Sequence, residues 1–281
     1  MNSLKIAFII SIFFSSTTWA CSLWAVSASQ TMFLAKNRDW APNHEQKLKW
    51  VQPAKGYKFF GLEASGNEAP GFKMGINEKG LTIVSASLSS IPRKDRLIKN
   101  KHGLITEILS DYKSVDEVLE HKEIFKKARP MNYMLADGKK MASIEIALHE
   151  KISFDIKETG KLLHTNHILS PELAGDNKKI GPGSVTRYKR LEQLLSLLPN
   201  STVPTMENMK KMSLDKTGGP DASLWRTGST PKKTRTLSTW IVEYSQTASP
   251  TLFIHMANPG KAESEQTLNL DAKFWEKSPA L

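Results

Sequence analysis

The chain of 281 residues has a single cysteine, Cys21. One thiol cannot close an internal disulfide, so core burial must hold the fold, and a chain of this length has enough apolar surface for that. Long apolar runs are also missing. The longest, IAFIISIFF (6–14), is nine residues, against roughly 20 for a helix that crosses a bilayer. Glycine-rich phosphate loops are absent, since GPGS (181–184) has neither the length nor the lysine. No metal-ligand pattern stands out either. HTNH (164–167) falls at a strand end without a third ligand cluster, which argues against a zinc site. Aromatic residues are sparse around the basic runs PRKDRLIKNK and TPKKTR. A base-stacking surface needs that interleaving, so no nucleic-acid partner is expected despite a formal net charge of +11. Repeats, low-complexity tracts and linkers are lacking, which leaves one domain.

What is present begins at the N-terminus. Lys5 is the only charge in residues 1–20, and the polar stretch SSTTWA follows the apolar run. That is the layout of a secretory signal peptide. Thr18 and Ala20 supply the small residues that signal peptidase requires, so the expected cut lies after Ala20, leaving 21–281 as an exported, periplasmic or secreted protein without stable membrane insertion. Losing Lys5 leaves 38 basic and 28 acidic residues, +10.

Four readings of Cys21 follow: a lipid attachment site, an intermolecular disulfide, an inert buried thiol or a reactive nucleophile. A lipobox would carry an aliphatic residue where this chain has Thr18. Cleavage after Ala20 would instead put a thiol and a free α-amine on one residue. An amine of pKa about 7.7–8.0 is partly free base near neutrality, and a thiol of about 8.5 needs little help to ionise. Nucleophile and general base then come together.

Downstream, CSLWAV and QTMFLAKNRDW read as two strands about a turn at Ser27–Gln30, with Asn37 and Asp39 on one face and Lys36 and Arg38 on the other. GFKMGINEKGLTIVSASL reads as strand, turn at Asn77–Gly80, strand. Leu104–Tyr112 and Val115–Lys127 have helical spacing, the second opened by a Ser114–Glu117 capping box. NYMLADGKKMASIEIALHE is another hairpin, ISFDI and KLLHTNH add strands, VTRYKRLEQLLSLL and ENMKKM are helical, and TLSTWIVEY with TLFIHMA form a closing pair of strands. This pattern predicts a layered α+β fold.

Taken in order, CSLW, AKNRDW, GINEKGL, ADGKKMASIE, HTNH and SVTRYKRL resemble the cysteine-type N-terminal-nucleophile amidases, a superfamily of choloylglycine hydrolases, penicillin V acylases and acyl-CoA:6-aminopenicillanate acyltransferases. TLSTWIV followed by HMANPG looks most like the last branch. The resemblance implies a four-layer αββα sandwich of two antiparallel sheets flanked by helices. It implies Cys21 as nucleophile, Asp39 as the carboxylate holding its amine and thiol, Asn166 as the oxyanion donor and Arg187 as the arginine near the nucleophile. The family arginine three residues before the aspartate is Lys36 here, with Arg38 nearby; the sequence leaves open which faces the thiol. A second family asparagine falls near Ser87, where a backbone N–H or Ser87 itself is the expected substitute.

Independent of the resemblance, Arg187 in the first turn of a helix stands at the wrong end of the dipole, which points to an outside role. Glu145, between isoleucines, reads as structural and paired with a cation. His164 and His167 are the nearest candidates for a papain-like base. YKFF (57–60) and MNYM (131–134) are candidate acyl-pocket linings. The expected function is hydrolysis of a linear amide in a small N-acyl substrate, without cofactor or metal. The alternatives are acyl transfer on the same fold, or a lipid-anchored envelope protein with acylated Cys21. Relatives suggest a homo-oligomer.

Overall fold

Cys21–Ala28 (β1) and Thr31–Trp40 (β2) form the first hairpin of the computed structural model, joined through Ser29, which takes a left-handed φ of 55°. The structure describes residues 20–65, 69–98, 101–198 and 203–276, so the expected signal segment lies outside the described residues except for Ala20. After the hairpin come Glu45–Val51 (β3), Phe59–Ser65 (β4), Gly71–Asn77 (β5), Thr82–Ala86 (β6), Met131–Ala136 (β7), Met141–Ile146 (β8) and Ile152–Lys157 (β9). These seven pair antiparallel in strict chain order as one sheet. Gly160–His164 (β10), Arg235–Ser245 (β11), Ala248–Met256 (β12) and Ser264–Asn269 (β13) join the first hairpin in the other sheet, ordered β10-β1-β2-β11-β12-β13 and also antiparallel. The N-terminal hairpin thus sits in the middle of its sheet, and Cys21 opens a strand covered on both edges.

Alternation along each strand divides the apolar side chains into three cores. Leu23, Leu34, Trp240 and Ile254 from one sheet face Phe60, Leu62, Met74 and Met134 from the other. Behind the seven-stranded sheet, Phe59, Ile83, Leu135 and Ile144 pack on Ile105–Asp111 and Val115–Glu120. Behind the six-stranded sheet, Trp24, Phe33, Ile241 and Phe253 receive Leu191 and Leu195 of Pro182–Ser196 and Met209 and Met212 of Met206–Ser213. Helices therefore cover the outer faces of two packed antiparallel sheets, the expected four-layer α+β sandwich.

Most expected elements form, with differences that have physical causes. Asn77 accepts from the N–H groups of Lys79 and Leu81, donates to the carbonyls of Leu109 and Tyr112, and so ties the expected turn to the end of the neighbouring helix. The Ser114 hydroxyl accepts from the Glu117 N–H, but the Glu117 carboxylate accepts from Lys113 N–H rather than completing the box at Ser114. The helical pattern over 115–127 breaks at His121 into an α-helix and a 3₁₀ turn, Lys122–Lys127. TLSTWIVEY and TLFIHMA do not close their sheet: β13 adds a further, largely exposed strand.

Candidate active site

Cys21 begins β1 directly opposite Arg38 of β2, and its side chain shares the inter-sheet face with Leu23 and Ala25. Its backbone is held at both ends. The N–H donates to Asn166 Oδ1 at 3.1 Å, and the carbonyl accepts from Arg187 Nη1 at 2.7 Å. Arg187 also donates to Ser22 Oγ at 3.0 Å and, through Nη2, to Asn166 Oδ1 at 2.9 Å. Both lone pairs of that amide oxygen are thereby used, which fixes the amide orientation, because a flipped amide would set its NH₂ against an N–H and a guanidinium. The amide nitrogen donates one hydrogen to the Ser87 carbonyl at 2.9 Å. Its second hydrogen is left for another acceptor.

Asn166 lies two residues beyond β10, where the chain turns off the sheet edge. Its N–H donates to Ser184 Oγ at 2.9 Å, and the same hydroxyl meets Thr165 Oγ1 and His167 Nδ1. Ser184 lies in the first turn of the helix Pro182–Ser196, so the start of that helix sets the height of Asn166. Because the helix begins at Pro182, Arg187 occupies its second turn, not its first. The outside role inferred from its position is visible in its three bonds. Burial pulls the guanidinium down to about 10, opposed by Asp39 and by a Cys21 thiolate.

Asp39 faces the other way. Alternation along β2 places Asn37 and Asp39 toward the helix layer, where Asn37 donates to the carbonyls of Ser213 and Leu224. Asp39 Oδ1 accepts from Thr236 Oγ1 at 2.7 Å; Oδ2 lies 3.7 Å from Arg226 Nη1 and is buried without a hydrogen bond. Burial raises the carboxyl pKa, against the pull of Arg226 and Arg187. In the chain that retains Ala20, Asp39 meets the Cys21 junction through its backbone alone, its N–H donating to the Ala20 carbonyl at 3.1 Å.

Lys36 and Arg38 both share the thiol's face, Arg38 paired across from Cys21 and Lys36 across from Leu23. Both line, with Cys21, a cavity of about 150 Å³ whose wall includes Lys73, Ser85, Ser87 and Arg129. Arg38 donates to Gln46 Oε1 at 2.7 Å and to His44 Nδ1 at 2.8 Å, and lies 5.4 Å from the Trp40 ring centroid. His44 must therefore present a lone pair; burial, Arg38 and Lys73 pull it down to about 4. Burial pulls Lys36 down to about 8, a Cys21 thiolate opposing and Arg38 assisting. Burial also pulls Lys73 down to about 7, assisted by Arg38, Lys36 and Arg129.

Of the two candidate linings, MNYM contributes Met131 and Tyr133 to the wall. YKFF does not reach it. Phe59 and Phe60 are fully buried, one in the outer core and one between the sheets. The histidines are committed elsewhere: His164 Nε2 meets Glu145 Oε1 at 2.6 Å, and His167 meets Ser184. Glu145 is structural as expected, accepting also from the N–H groups of Leu169 and Ser170. Burial pushes its pKa up, but these partners outweigh burial and hold it below the usual carboxylate range. Among the described residues no group of three metal-ligating side chains occurs.

Sequence reasoning missed Arg226, Thr236, Lys73 and Arg129. Arg226 lies in an irregular segment and Arg129 precedes a proline. Lys73 and Thr236 owe their directions to β-bulges, which leave no mark in composition.

Comparisons with known proteins bear on this arrangement. A family model described as acyl-coenzyme A:6-aminopenicillanic acid acyl-transferase matches residues 26–259, beginning downstream of Cys21. Two variants of conjugated bile acid hydrolase from Clostridium perfringens superpose with TM-scores of 0.51 and 0.55 at 15% and 14% identity. Each match covers 89% of this chain, and 97% and 92% of the respective hydrolase chain. At that identity the likeness is one of fold. An N-acylethanolamine-hydrolyzing acid amidase ortholog from Caenorhabditis elegans gives a TM-score of 0.47 at 12% identity, over 79% of this chain and 92% of that one. No curated protein sequence matches the chain.

Proposed function

The chain belongs to the acyl-coenzyme A:6-aminopenicillanic acid acyl-transferase family, within the N-terminal-nucleophile hydrolases, and from that premise we propose that it is an exported amidase activated by cleavage after Ala20. The observation that carries the reading is the closed set of bonds around Cys21. Its nitrogen meets Asn166 Oδ1, Arg187 bonds both that oxygen and the Cys21 carbonyl, and the thiol faces a cavity.

Cleavage would replace the Cys21 amide by an amine at the same place. As free base the amine takes the proton from Sγ, and the thiolate attacks the carbonyl carbon of an N-acyl amide. The remaining hydrogen on Asn166 Nδ2 is available to the oxyanion; one such donor is worth on the order of 10²–10³ in rate. The ammonium returns its proton to the leaving nitrogen as the C–N bond breaks, leaving a thioester on Cys21. Water, giving its proton to the amine, then releases the acid and the thiol. Removing Ala20 also takes away the carbonyl that accepts from the Asp39 N–H. Asp39 would then border the new amine through its main chain, its carboxylate staying on the helix side with Thr236 and Arg226.

Lipidation of Cys21 fits poorly with its burial, because a thioether-linked diacylglycerol has no room in the cavity the thiol faces. Acyl transfer differs only in the acceptor, an amine in place of water. The test is mass spectrometry of the exported protein followed by turnover of chromogenic N-acyl amides. An unmodified N-terminal Cys21, with turnover lost in Cys21→Ala and in protein retaining one residue before Cys21, is the expected result. Full activity in Cys21→Ala, or a lipid on Cys21, overturns the reading.

A further inference from the structure

The wall of the Cys21 cavity carries five cationic side chains, Lys36, Arg38, Lys73, Arg96 and Arg129, and no carboxylate among the described residues. Asp39, the nearest acid in sequence, is turned to the opposite face. Lys36 and Arg38 are each 1% exposed. Placing that many like charges together in a poorly solvated space is costly unless negative charge is brought to them. Among Lys36, Arg38, Lys73 and Arg129, a Cys21 thiolate would offset one charge.

Their hydrogen-bonding capacity is also underused. The only hydrogen bond of the Lys36 ammonium among the described residues goes to the Lys73 carbonyl at 2.8 Å, and that of Lys73 goes to the Pro70 carbonyl at 3.1 Å. An ammonium has three donors. The Nε groups of Arg38 and Arg129 are buried without a partner. Buried donors that the protein leaves without an acceptor call for an oxygen-rich ligand. A neutral or singly charged group would leave most of them unmet.

We propose that the half of the substrate seated in this chamber is multiply anionic, carrying two or more acidic oxygens' worth of charge as a phosphate ester or as paired carboxylates. The substrate class is then a small N-acyl amide bearing a dianion close to the scissile bond. That assignment rests on the amidase reading, whereas the anion chamber itself does not.

The test uses processed protein and two anions, malonate and pyrophosphate, with malonamide as the neutral control. Each anion should slow alkylation of Cys21 by neutral iodoacetamide by about tenfold or more at low millimolar concentration, and malonamide should not. The preferred anion distinguishes paired carboxylates from phosphate. The same anions should raise the melting temperature, an effect lost in Lys73→Gln/Arg129→Gln. Equal protection by malonamide, or neither protection nor a thermal shift with either anion, overturns the proposal. A parallel series of N-acyl amides with zero, one and two negative charges separates the two readings. Absence of all amide turnover with anion protection intact removes the amidase and keeps the chamber. Turnover indifferent to substrate charge, without protection, removes the chamber and keeps the amidase.

Discussion

Arg187 offers the sharpest test of how the candidate site is held. Its guanidinium makes three hydrogen bonds, to the Cys21 carbonyl, Ser22 Oγ and Asn166 Oδ1, and it is 2% exposed. Arg187→Met fills similar space and leaves three acceptors short of a donor, at about 1–3 kcal/mol for each one that stays buried. Part of that loss is returned, because the substitution also removes a charge whose burial already pulls its pKa down to about 10. The net destabilisation should be about 2–4 kcal/mol. For a chain of this size that is a fall of about 5–15 °C in melting temperature.

The catalytic loss should exceed the stability loss. Without Arg187, Asn166 Oδ1 keeps only the Cys21 nitrogen as a donor, and its amide is held by that bond and the Ser87 carbonyl alone. A drop of about 10²–10³ in kcat is expected, the size of losing an oxyanion donor. Arg187→Lys separates charge from geometry. It keeps a cation near Asp39 but replaces a planar fork by a compact ammonium that cannot serve three acceptors together. It should melt within about 2 kcal/mol of the parent yet lose about tenfold or more in kcat. The assay is turnover of a chromogenic N-acyl amide beside thermal melts. Arg187→Met with an unchanged melting temperature and kcat within about twofold would refute the reasoning.

Glu145→Gln should cost about 2–4 kcal/mol, measured by urea denaturation, because one half of its amide must face a donor among His164, Leu169 N–H and Ser170 N–H. Since the folded pKa of Glu145 is held below its unfolded value, its contribution is present above about pH 4.3 and is lost as pH falls through the folded value; the variant should show a flatter acid limb. Gly75→Ala should cost about 1–3 kcal/mol, since a Cβ there meets Leu109 Cδ1 at 2.7 Å and the Phe60 carbonyl at 2.9 Å. Lys73 and Lys36, lowered to about 7 and about 8, lose their charge as pH rises through those values. Malonate, which is mostly dianionic from about pH 6.5 upward, should therefore bind less tightly at about pH 9 than at about pH 6.5, and calorimetry showing a flat profile would contradict the chamber. The same lysines bind fewer protons folded than unfolded between those values and about 10.4, so stability should rise with pH over that interval.

The layered fold was legible where strands alternate around a buried face. CSLWAV, TIVSA and STWIVEY carry apolar residues at the spacing of two packed cores, and the turn before TIVSA is marked by Asn and Gly. β3, β4 and β13 were not; for β3 and β13 there is one physical reason. Both are edge strands, and EQKLKWV and SEQTLN put Lys, Glu, Gln and Ser where a central strand would put valine or isoleucine. Charge on an edge blocks pairing with another chain, and in sequence it is indistinguishable from a loop. Cys21, Asn166 and Arg187 come from three elements, so no local pattern links them; only the order of motifs along the chain did.

Lys73 and Thr236 were hidden by two single-residue insertions. In β5, Leu62 pairs with Met74 and Glu63 with Phe72, leaving Lys73 as the extra residue. Met74 and Ile76 face the inter-sheet core, so strict alternation would send Phe72 there as well. Instead Phe72 packs outward, its ring 5.1 Å from that of Phe59, and the switch happens at Lys73, whose carbonyl is released to accept Lys36 Nζ. In β11, Asp39 pairs with Thr236 and Arg38 with Ser238, leaving Leu237 as the extra residue. Counting back from Trp240 would place Thr236 between the sheets. The bulge turns it to the helix side, where it meets Asp39. A bulge adds one residue without changing composition, and it reverses every later assignment of side chain to face. Both bulges fall within hydrogen-bond reach of the β2 segment Lys36–Asp39. One turns a lysine to the thiol's side, and the other turns a hydroxyl to the carboxylate's side. The opposite faces of β2 are thus served by separate irregularities, which explains how neighbouring residues Arg38 and Asp39 come to sit in a cation-rich cavity and in a carboxylate pocket on either side of one strand.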